Sequence, residues 1–338
     1  MRIKVSVALL LAVVAFFYSC RKQTVQEEPY IQTPISLAIP PYFPKMKIPE
    51  DNPMTKERLA LGRKLYYDPI LSNNGKSCSS CHYQENGFTI NTMVGGIPVL
   101  PHVNLGWSKN FLWKGEKHYT LEEMMLYEVN EFFATDLNKI NADEEYKKLF
   151  KQAFGVNSIS SKEIAYSLAQ FFRSLISGNS KFDKYRRREV AFTSEEQRGM
   201  EIFFTEKGDC FHCHGIMLFT DNLFHNNGLD STFTYSKGRY DFTGLAADIG
   251  LYKTPTLRNA ALRKNFMHDG RFKTLEEVIE FYNSGVQQQS PNIDPLMVLP
   301  QKEFGLQLTE QDKYDLLQFL KALTDTTFTN NPEFSKPH

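Results

Sequence analysis

The sequence predicts a mainly α fold that is built from two similar units in tandem. Apolar residues recur at helical spacing in several segments, and strand-like alternation is scarce. Two of the helical segments are each followed by a loop and a Cys-x-x-Cys-His motif, at residues 78–82 and 210–214. This repeated layout of helix, loop and motif indicates that the chain carries the same kind of unit twice.

Each Cys-x-x-Cys-His motif is typical of a covalent c-type haem attachment site. Two thiols add to the vinyl groups of one haem, and the adjacent imidazole then ligates the iron. Zinc sites and disulfides are the alternatives, but zinc ligand pairs usually lie closer in sequence, and a two-residue spacing gives a reducible disulfide. The sequence therefore predicts two c-type haems in two cytochrome c-like haem domains, held by Cys78, Cys81, His82, Cys210, Cys213 and His214.

The composition sets the size and excludes one class of partner. The 338 residues, 41% of them hydrophobic, are enough for two domains that each have a core. The 39 basic residues balance the 39 acidic ones, so the charge gives no argument for nucleic-acid binding and none is expected. We place an N-terminal haem domain at residues 46–190, a C-terminal haem domain at 191–325 and a tail at 326–338.

Local signals locate the helices in order. Residues 55–67 have apolar side chains at helical spacing before the first motif. Residues 193–204 do the same before the second motif, and Thr193 with Glu196 forms a capping-box pattern. Thr309 is a natural N-cap for the last predicted helix. The other predicted helices are 121–133, 143–154, 162–177, 275–282 and 310–323.

The N-terminus is typical of an export signal. Two basic residues precede an apolar run at 5–18 that is too short to span a bilayer comfortably. The segment ending at Cys20 is similar to a bacterial lipobox, in which Cys20 becomes the lipidated first residue; a plain signal peptide or an uncleaved anchor are the alternatives. We expect a signal peptide at 1–19, a proline-rich lipidated tether at 20–45, and a protein anchored to a membrane on the periplasmic side of the cell envelope.

Several segments around the motifs resemble the bacterial dihaem cytochrome c peroxidase family, including its MauG-like branch. The resemblance covers roughly residues 50–325, and its most specific segments are 61–72, 219–229, 254–259 and 266–272. It implies peroxide chemistry at the N-terminal haem and electron relay at the C-terminal haem. Two haems suit this task because hydrogen peroxide needs two electrons, whereas a small redox protein delivers one at a time.

The resemblance also implies a second axial ligand for the relay haem. In the family this ligand lies at the eighth position of the helix that begins Leu-Glu-Glu, which is Tyr282 when counted from Leu275. Peroxidases of the family carry Met there, and the MauG-like branch carries Tyr. A phenolate favours oxidised iron more than a thioether does. The alternatives are that Tyr282 only packs in its helix and that Met267 is the ligand.

Two further residues receive catalytic roles from the resemblance. Trp113 matches the family tryptophan that lies between the haems, where an aromatic ring carries electrons as well as packing in the core. Ungapped counting puts Met124 and Ala134 at the positions of the family's distal Gln and acid–base Glu, and neither can move a proton. Glu131 lies three residues early and Glu128 six. A small deletion would bring Glu131 into register as the acid–base, the alternative being a solvated helix carboxylate.

The resemblance also bears on two further features of the family, a removable distal His at the first haem and a bound calcium ion. The family's removable distal His falls on Pro98, so we expect none, with His102 in a rearranged loop as the alternative. The family's calcium ion, held between the haems mainly by backbone carbonyls, would use those of Arg263 and Asn265. Backbone ligands leave little trace in a sequence, so calcium stays an expectation.

The sequence thus predicts an exported dihaem c-type cytochrome peroxidase, an enzyme that reduces hydrogen peroxide to water with electrons from a small cytochrome or cupredoxin. One alternative is a MauG-like dihaem oxidase that acts on a protein or small-molecule substrate, which Tyr282 and the missing distal His favour. Another is a dihaem electron carrier or sensor, which Met124 and Ala134 favour. The oligomeric state is left open by the sequence, and a homodimer is one candidate.

Overall fold

The computed structural model describes residues 29–115, 120–299, 302 and 305–337, and within them the protein is mainly α, as predicted. The α-helices are α1 (Lys56–Tyr67), α2 (Leu121–Tyr127), α3 (Leu137–Ala142), α4 (Glu144–Phe154), α5 (Ser161–Ser174), α6 (Lys181–Arg186), α7 (Ser194–Phe203), α8 (Tyr240–Thr243), α9 (Leu275–Glu280), α10 (Glu310–Lys321) and α11 (Thr326–Thr329). Short antiparallel pairs join β1 (Met93–Val94) to β2 (Ile97–Pro98) and β3 (Phe224–His225) to β4 (Tyr252–Lys253).

The buried apolar residues form two clusters. The first cluster draws on α1, α2, α4 and α5 and includes Cys78 of the first motif. The second cluster draws on α7, α9 and α10, and Cys210 of the second motif packs against it. Each motif therefore adjoins its own core, as the repeated sequence layout predicts.

The same close helix crossing occurs in both clusters. Gly62 of α1 faces the backbone of Ser167 in α5, and Gly199 of α7 faces the backbone of Asp315 in α10. At either glycine a Cβ atom would collide with the facing carbonyl oxygen. The helix before each motif can therefore approach its partner only because it has a glycine at the crossing point.

We expect Gly199→Ala to lower the free energy of unfolding, since the added methyl group forces α7 away from α10. Overpacking of this kind costs roughly 1–3 kcal/mol, more than the gain in helix propensity from alanine. Thermal unfolding measures the loss. Glu201→Ala is the control, because Glu201 is exposed on the same helix. Equal melting temperatures for the two variants would contradict the crossing.

The helix that was predicted at 121–133 differs from the structure in one respect. α2 ends at Tyr127, and a π-helical turn continues from Glu128 to Phe132. A second π-helical turn, Phe281–Gly285, follows α9 in the same way. The extra residue in a π turn rotates the following side chains relative to an α-helix, and such turns are frequent at functional sites.

The tether and the tail pack more closely than the sequence predicts. In the described part of the tether, Phe43 is only 7% exposed. The Nε1 group of Trp107 also donates a 2.7 Å hydrogen bond to the carbonyl oxygen of Pro44. In the tail, the ring of Phe328 lies 5.2 Å from that of Phe88 in the first cluster. Both segments therefore belong to the folded body.

The boundary at residue 190 also differs from the packing. Phe182, which was assigned to the N-terminal domain, lies in the second cluster, so the chain passes between the clusters before α6. The predicted signal peptide and Cys20 lie outside the described residues. Among the helices that are described, none is both long and apolar enough to cross a membrane.

Candidate haem-binding sites

The two motif histidines have the same environment. The Nδ1 atom of His82 lies 2.8 Å from the carbonyl oxygen of Phe88, and that of His214 lies 3.0 Å from the carbonyl oxygen of Phe219. A carbonyl accepts only from a protonated Nδ1, so Nε2 is left as the lone-pair atom of each ring. This is the tautomer that an iron-ligating histidine needs.

Both acceptor carbonyls belong to strained residues. Phe88 and Phe219 are fully buried and have φ angles of 60° and 54°, in the left-handed region that bulky residues rarely adopt. The surrounding core holds both residues in this conformation, which directs each carbonyl oxygen at the Nδ1 atom of the motif histidine. Strain repeated at both motifs is typical of a functional site.

The titratable groups of the motifs are kept neutral. Burial lowers the pKa of His82 to about 4 and also lowers the pKa of His214, so both imidazoles are uncharged near pH 7. Burial likewise raises the pKa of the Cys210 and Cys213 thiols to about 12. All four motif cysteines are free thiols, which is the state required for bonding to haem vinyl groups.

A deep cavity adjoins the second motif. Its wall contains Cys210, Cys213 and His214, together with Tyr282 and Met267, the two candidate axial ligands. The amide nitrogen of Asn227 lies 3.1 Å from the Tyr282 hydroxyl and 3.6 Å from the Met267 sulfur. The structure thus brings both candidate axial ligands to the side-chain amide of Asn227. Burial raises the pKa of Tyr282 to about 12, so a phenolate there requires a nearby positive charge such as ferric iron.

Two buried cations on the same wall fit the haem group. Lys253 and Arg263 are 7% and 8% exposed, and neither has a carboxylate partner within the residues described. Burial lowers the pKa of Lys253 to about 8 and that of Arg263 to about 10. Because buried, unpaired charges are costly, the cavity favours an anionic guest, and the propionates of a haem provide that charge.

A histidine between two carboxylates completes this wall. His225 Nε2 lies 2.8 Å from Asp221, and its Nδ1 lies 2.5 Å from Asp294. The hydrogen bond to Asp221, followed by the other carboxylate contacts, raises the pKa of His225 from 6.5 to about 9. The imidazole is therefore charged at neutral pH and joins the segment 221–225 to Asp294.

The raised pKa predicts a pH-dependent contribution of His225 to stability. Since the folded pKa lies above the unfolded one, this stabilisation is fully present below about pH 6.5 and is lost as the pH rises through about 9. We expect His225→Gln to lower the melting temperature clearly at pH 6 and much less at pH 10. Calorimetry of both proteins at the two pH values measures the difference. An equal loss at both values would contradict the charged histidine.

Trp113 lies where the two halves meet. Its Nε1 group donates a 2.8 Å hydrogen bond to the carbonyl oxygen of Pro98, and its own carbonyl oxygen accepts one of 2.8 Å from the backbone of Lys253. The indole also lines the cavity of the second motif and is 8% exposed. Trp113 therefore connects that cavity to Pro98, the position where the resemblance places the switchable His of the first haem.

His102 lies beside the proximal ligand of the first motif. Its ring stacks on that of His82 with centroids 3.4 Å apart, and its Nδ1 lies 3.0 Å from the Tyr66 hydroxyl. A distal ligand would face His82 across the iron rather than stack on its ring. In this arrangement His102 packs directly against the ring of His82.

The candidate acid–base residues differ in how exposed their side chains are. Glu131 and Ala134 are both exposed, and Met124 is buried in the first cluster. The structure therefore does not bring Glu131 to the motif residues. Glu128 is half-buried, and its charge contributes, after burial, to the raised pKa of the Cys78 thiol. In the sequence, Glu128 lies six residues before the family's acid–base position.

One buried oxygen close to Asn265, an expected calcium ligand, has no hydrogen-bond partner among the described residues, and it belongs to Asn91, which was not expected as a ligand. Asn91 Oδ1 is buried without a hydrogen-bond partner, and the Asn91 carbonyl accepts a 3.1 Å hydrogen bond from Asn265 Nδ2. The side-chain oxygen of Asn265 already accepts a 2.8 Å hydrogen bond from Lys273. Asn91 is therefore the side chain that fits a cation here, and Asn265 could supply only its backbone carbonyl.

Comparisons with known proteins agree with these features. The family model described as di-haem cytochrome c peroxidase matches residues 56–191. The methylamine utilization protein MauG of Methylorubrum extorquens is 32% identical over 291 residues, which cover 81% of this chain and 80% of that protein. Cytochrome c551 peroxidase of Nitrosomonas europaea is 28% identical over 304 residues, covering 84% of each.

Two solved structures share the fold. A MauG-like protein associated with microbial copper homeostasis is 34% identical, with a TM-score of 0.82 over 90% of this chain and 99% of that chain. The diheme peroxidase BthA from Burkholderia thailandensis has a TM-score of 0.70 at 19% identity over 85% of this chain and 91% of that chain, which supports the fold alone.

Proposed function

The chain belongs to the di-haem cytochrome c peroxidase family, an oxidoreductase family, and we propose from this premise that it reduces hydrogen peroxide to water with electrons from a small cytochrome or cupredoxin. The observation that carries this proposal is the pair of Cys-x-x-Cys-His motifs, whose two histidines are held in the same ligating tautomer. The cavity at the second motif offers Tyr282 and Met267 as further ligands. At the first motif the position of the family's switch His is taken by Pro98, and the proposal is that a haem there would keep one face free for peroxide.

The proposal assigns a task to each group of residues. A haem at each motif supplies the redox-active iron. His82 and His214 are held in the ligating tautomer by the carbonyls of Phe88 and Phe219. Lys253 and Arg263 hold propionates in the second cavity. Trp113 places an aromatic ring between the two pockets, where it shortens the path for electrons.

The proposal extends to organisation and location. The chain forms two cytochrome c-like haem domains in tandem. The boundary between the two domains lies in the segment before α6. It is exported to the periplasmic side of the envelope, which agrees with covalent haem attachment outside the cytoplasm, and lipid on Cys20 anchors it to a membrane. One calcium ion is bound near Asn91. The protein is also proposed to associate with a second copy of itself, and light scattering tests whether this homodimer forms.

Steady-state turnover tests the proposed function. The protein carrying both haems is mixed with hydrogen peroxide and a reduced small cytochrome, and oxidation of the cytochrome is followed by absorption. We expect two cytochromes to be oxidised for each peroxide consumed. A protein that consumes peroxide with no cytochrome or cupredoxin oxidised would contradict the proposal.

A second candidate function is a MauG-like oxidase acting on a protein or small-molecule substrate. Tyr282 supports it, because Tyr at that position resembles the MauG-like branch and the residue lines the second cavity. The similarity to MauG over 81% of the chain supports it as well. Peroxide-dependent modification of a copurifying protein, detected by mass spectrometry, together with no oxidation of small redox proteins, would favour this candidate.

A further inference from the structure

The C-terminal tail, described over residues 326–337, returns from the second cluster to the loop that follows the first motif. The rings of Phe328 and Phe334 lie 5.2 and 6.4 Å from the ring of Phe88. Phe88 is the strained residue whose carbonyl oxygen lies 2.8 Å from Nδ1 of His82. The tail therefore packs on the residue that sets the tautomer of the first motif histidine.

Hydrogen bonds fix the tail to the same loop and to α1. The side-chain amide of Gln84 donates to the carbonyl oxygens of Phe328, at 3.3 Å, and of Asn331, at 2.8 Å. The side-chain oxygen of Gln84 accepts a 2.9 Å hydrogen bond from the hydroxyl of Ser335. Arg63 in α1 donates a 2.6 Å hydrogen bond to the carbonyl oxygen of Ser335. The loop between the motif and Phe88 is thus joined to the tail at several points.

A buried carboxylate fixes the point where the tail begins. Asp325 accepts hydrogen bonds from the backbone nitrogens of Gly178 and Asn179, at 3.1 and 2.9 Å. Its other oxygen accepts 3.1 Å hydrogen bonds from the backbone nitrogens of Thr327 and Phe328. Asp325 therefore ties the first turn of the tail to the segment that crosses between the two clusters, and this contact sets where Phe328 meets Phe88.

The second motif holds its strained phenylalanine in a different way. The ring of Phe219 lies 5.2 Å from that of Phe182 in α6, 5.7 Å from that of Phe203 in α7 and 6.3 Å from that of Phe319 in α10. These three neighbours belong to helices of the second cluster. At the first motif, part of the same packing comes from the far end of the chain. Loss of the tail contacts is therefore expected to affect the first motif and to spare the second.

We propose that the C-terminal tail is a positioning element for the first haem, which holds Phe88 in its left-handed conformation and so keeps the Phe88 carbonyl on Nδ1 of His82. A hydrogen bond at this atom raises the basicity of a ligating imidazole, and a more basic ligand favours ferric over ferrous iron. The tail thereby lowers the reduction potential of the first haem. The inference rests on the proposed function only in that a haem is bound at the first motif.

Substitution of the tail ring that contacts Phe88 tests the proposal. Phe328→Leu is prepared in the full chain with both haems, and a redox titration is followed by absorption. We expect the ferric preference of the first haem to fall at least about tenfold, which raises its reduction potential by about 59 mV. Phe150→Leu is the matched control, because Phe150 is also buried in the first cluster but packs on Phe154 within α4. We expect the control to leave both haem potentials unchanged.

Two further measurements tie the shift to the first motif. The Tyr282→Phe protein identifies the spectrum of the second haem, because Tyr282 lines the cavity of the second motif. Resonance Raman spectra of the reduced proteins give the iron–histidine stretching frequency, which falls when the hydrogen bond at Nδ1 weakens. A haem-loaded Phe328→Leu protein with unchanged potentials and an unchanged frequency would overturn the proposal. An equal shift in Phe150→Leu would overturn it as well, since the effect would then be general to the core.

A second pair of variants covers the case in which Phe328→Leu does not take up haem. Gln84→Ala removes the loop side of the hydrogen bonds to the tail and leaves the aromatic core intact. Asn330→Ala is its control, because Asn330 is exposed in the tail and donates to the carbonyl oxygen of Thr326 within it. We expect Gln84→Ala to raise the potential of the first haem, by less than Phe328→Leu, and Asn330→Ala to leave it unchanged. Equal potentials in these two variants would refute the positioning role.

The readouts separate this inference from the proposed function, because neither a peroxide nor an electron donor enters them. If the unsubstituted protein does not react with peroxide but Phe328→Leu or Gln84→Ala raises the potential of the first haem, the peroxidase proposal fails and the role of the tail stands. If peroxide is reduced normally and neither variant changes a haem potential, the peroxidase proposal stands and the role of the tail falls.

Discussion

Replacement of Tyr282 by Phe is expected to turn the second haem from six-coordinate low-spin to five-coordinate high-spin. The hydroxyl is the only atom that the substitution removes, and it lies in the cavity of the second motif, 3.1 Å from the amide of Asn227. A phenolate ligand binds ferric iron more tightly than ferrous iron, so its loss also raises the reduction potential of the haem. The rise is about 59 mV for each factor of ten in the ratio of these two affinities. Absorption spectra and redox titration of the variant measure both effects.

Met267→Leu is the matched control for this prediction. Met267 lines the same cavity and lies 3.6 Å from the same amide nitrogen, so its removal tests the alternative ligand with little change in volume. We expect Met267→Leu to keep the low-spin spectrum. A low-spin Tyr282→Phe protein combined with a high-spin Met267→Leu protein would show that Met267, and not Tyr282, is the axial ligand of the second haem.

Replacement of Trp113 by Phe is expected to slow electron exchange between the haems by about tenfold or more, which corresponds to about 1.4 kcal/mol of barrier for each factor of ten. The indole lines the second cavity, and its Nε1 group binds the carbonyl oxygen of Pro98 in the first half. Phenylalanine keeps an aromatic side chain in the core but loses this hydrogen bond and part of the ring. Flash photolysis of the half-reduced carbon monoxide complex measures the exchange rate.

The second tryptophan of the chain supplies the control. Trp107 Nε1 also donates to a proline carbonyl, that of Pro44, but Trp107 does not line the cavity. We expect Trp107→Phe to leave the exchange rate unchanged. Equal rates in both variants would show that Trp113 only packs in the core.

The parts of the structure that could be predicted from the sequence are those set by local interactions. The motif residues are consecutive, so their chemistry can be inferred without a fold. The capping box of Thr193 and Glu196 is present as predicted, because cap and partner lie within one helical turn. The ends of the predicted helices were also close to those observed, as at Glu144–Phe154.

The parts that the sequence could not predict depend on distant contacts. Residues 121–133 have the apolar spacing of one regular helix, but the core contact of Val129 accompanies a π turn that starts at Glu128. Glu131, which a small deletion would bring into register with the family's acid–base position, is exposed on this turn. Proline content predicted an extended tether at 20–45, whereas Phe43 in this segment is buried.

The most direct test of the account is a stopped-flow experiment on the unsubstituted dihaem protein. The oxidised and the half-reduced protein are each mixed with stoichiometric hydrogen peroxide, and the Soret band is followed before and after addition of a reduced small cytochrome. The account predicts a rapid shift of the band that reverses as the cytochrome is oxidised. A Soret band that does not move in either redox state would contradict peroxide chemistry and would leave a dihaem electron carrier or sensor.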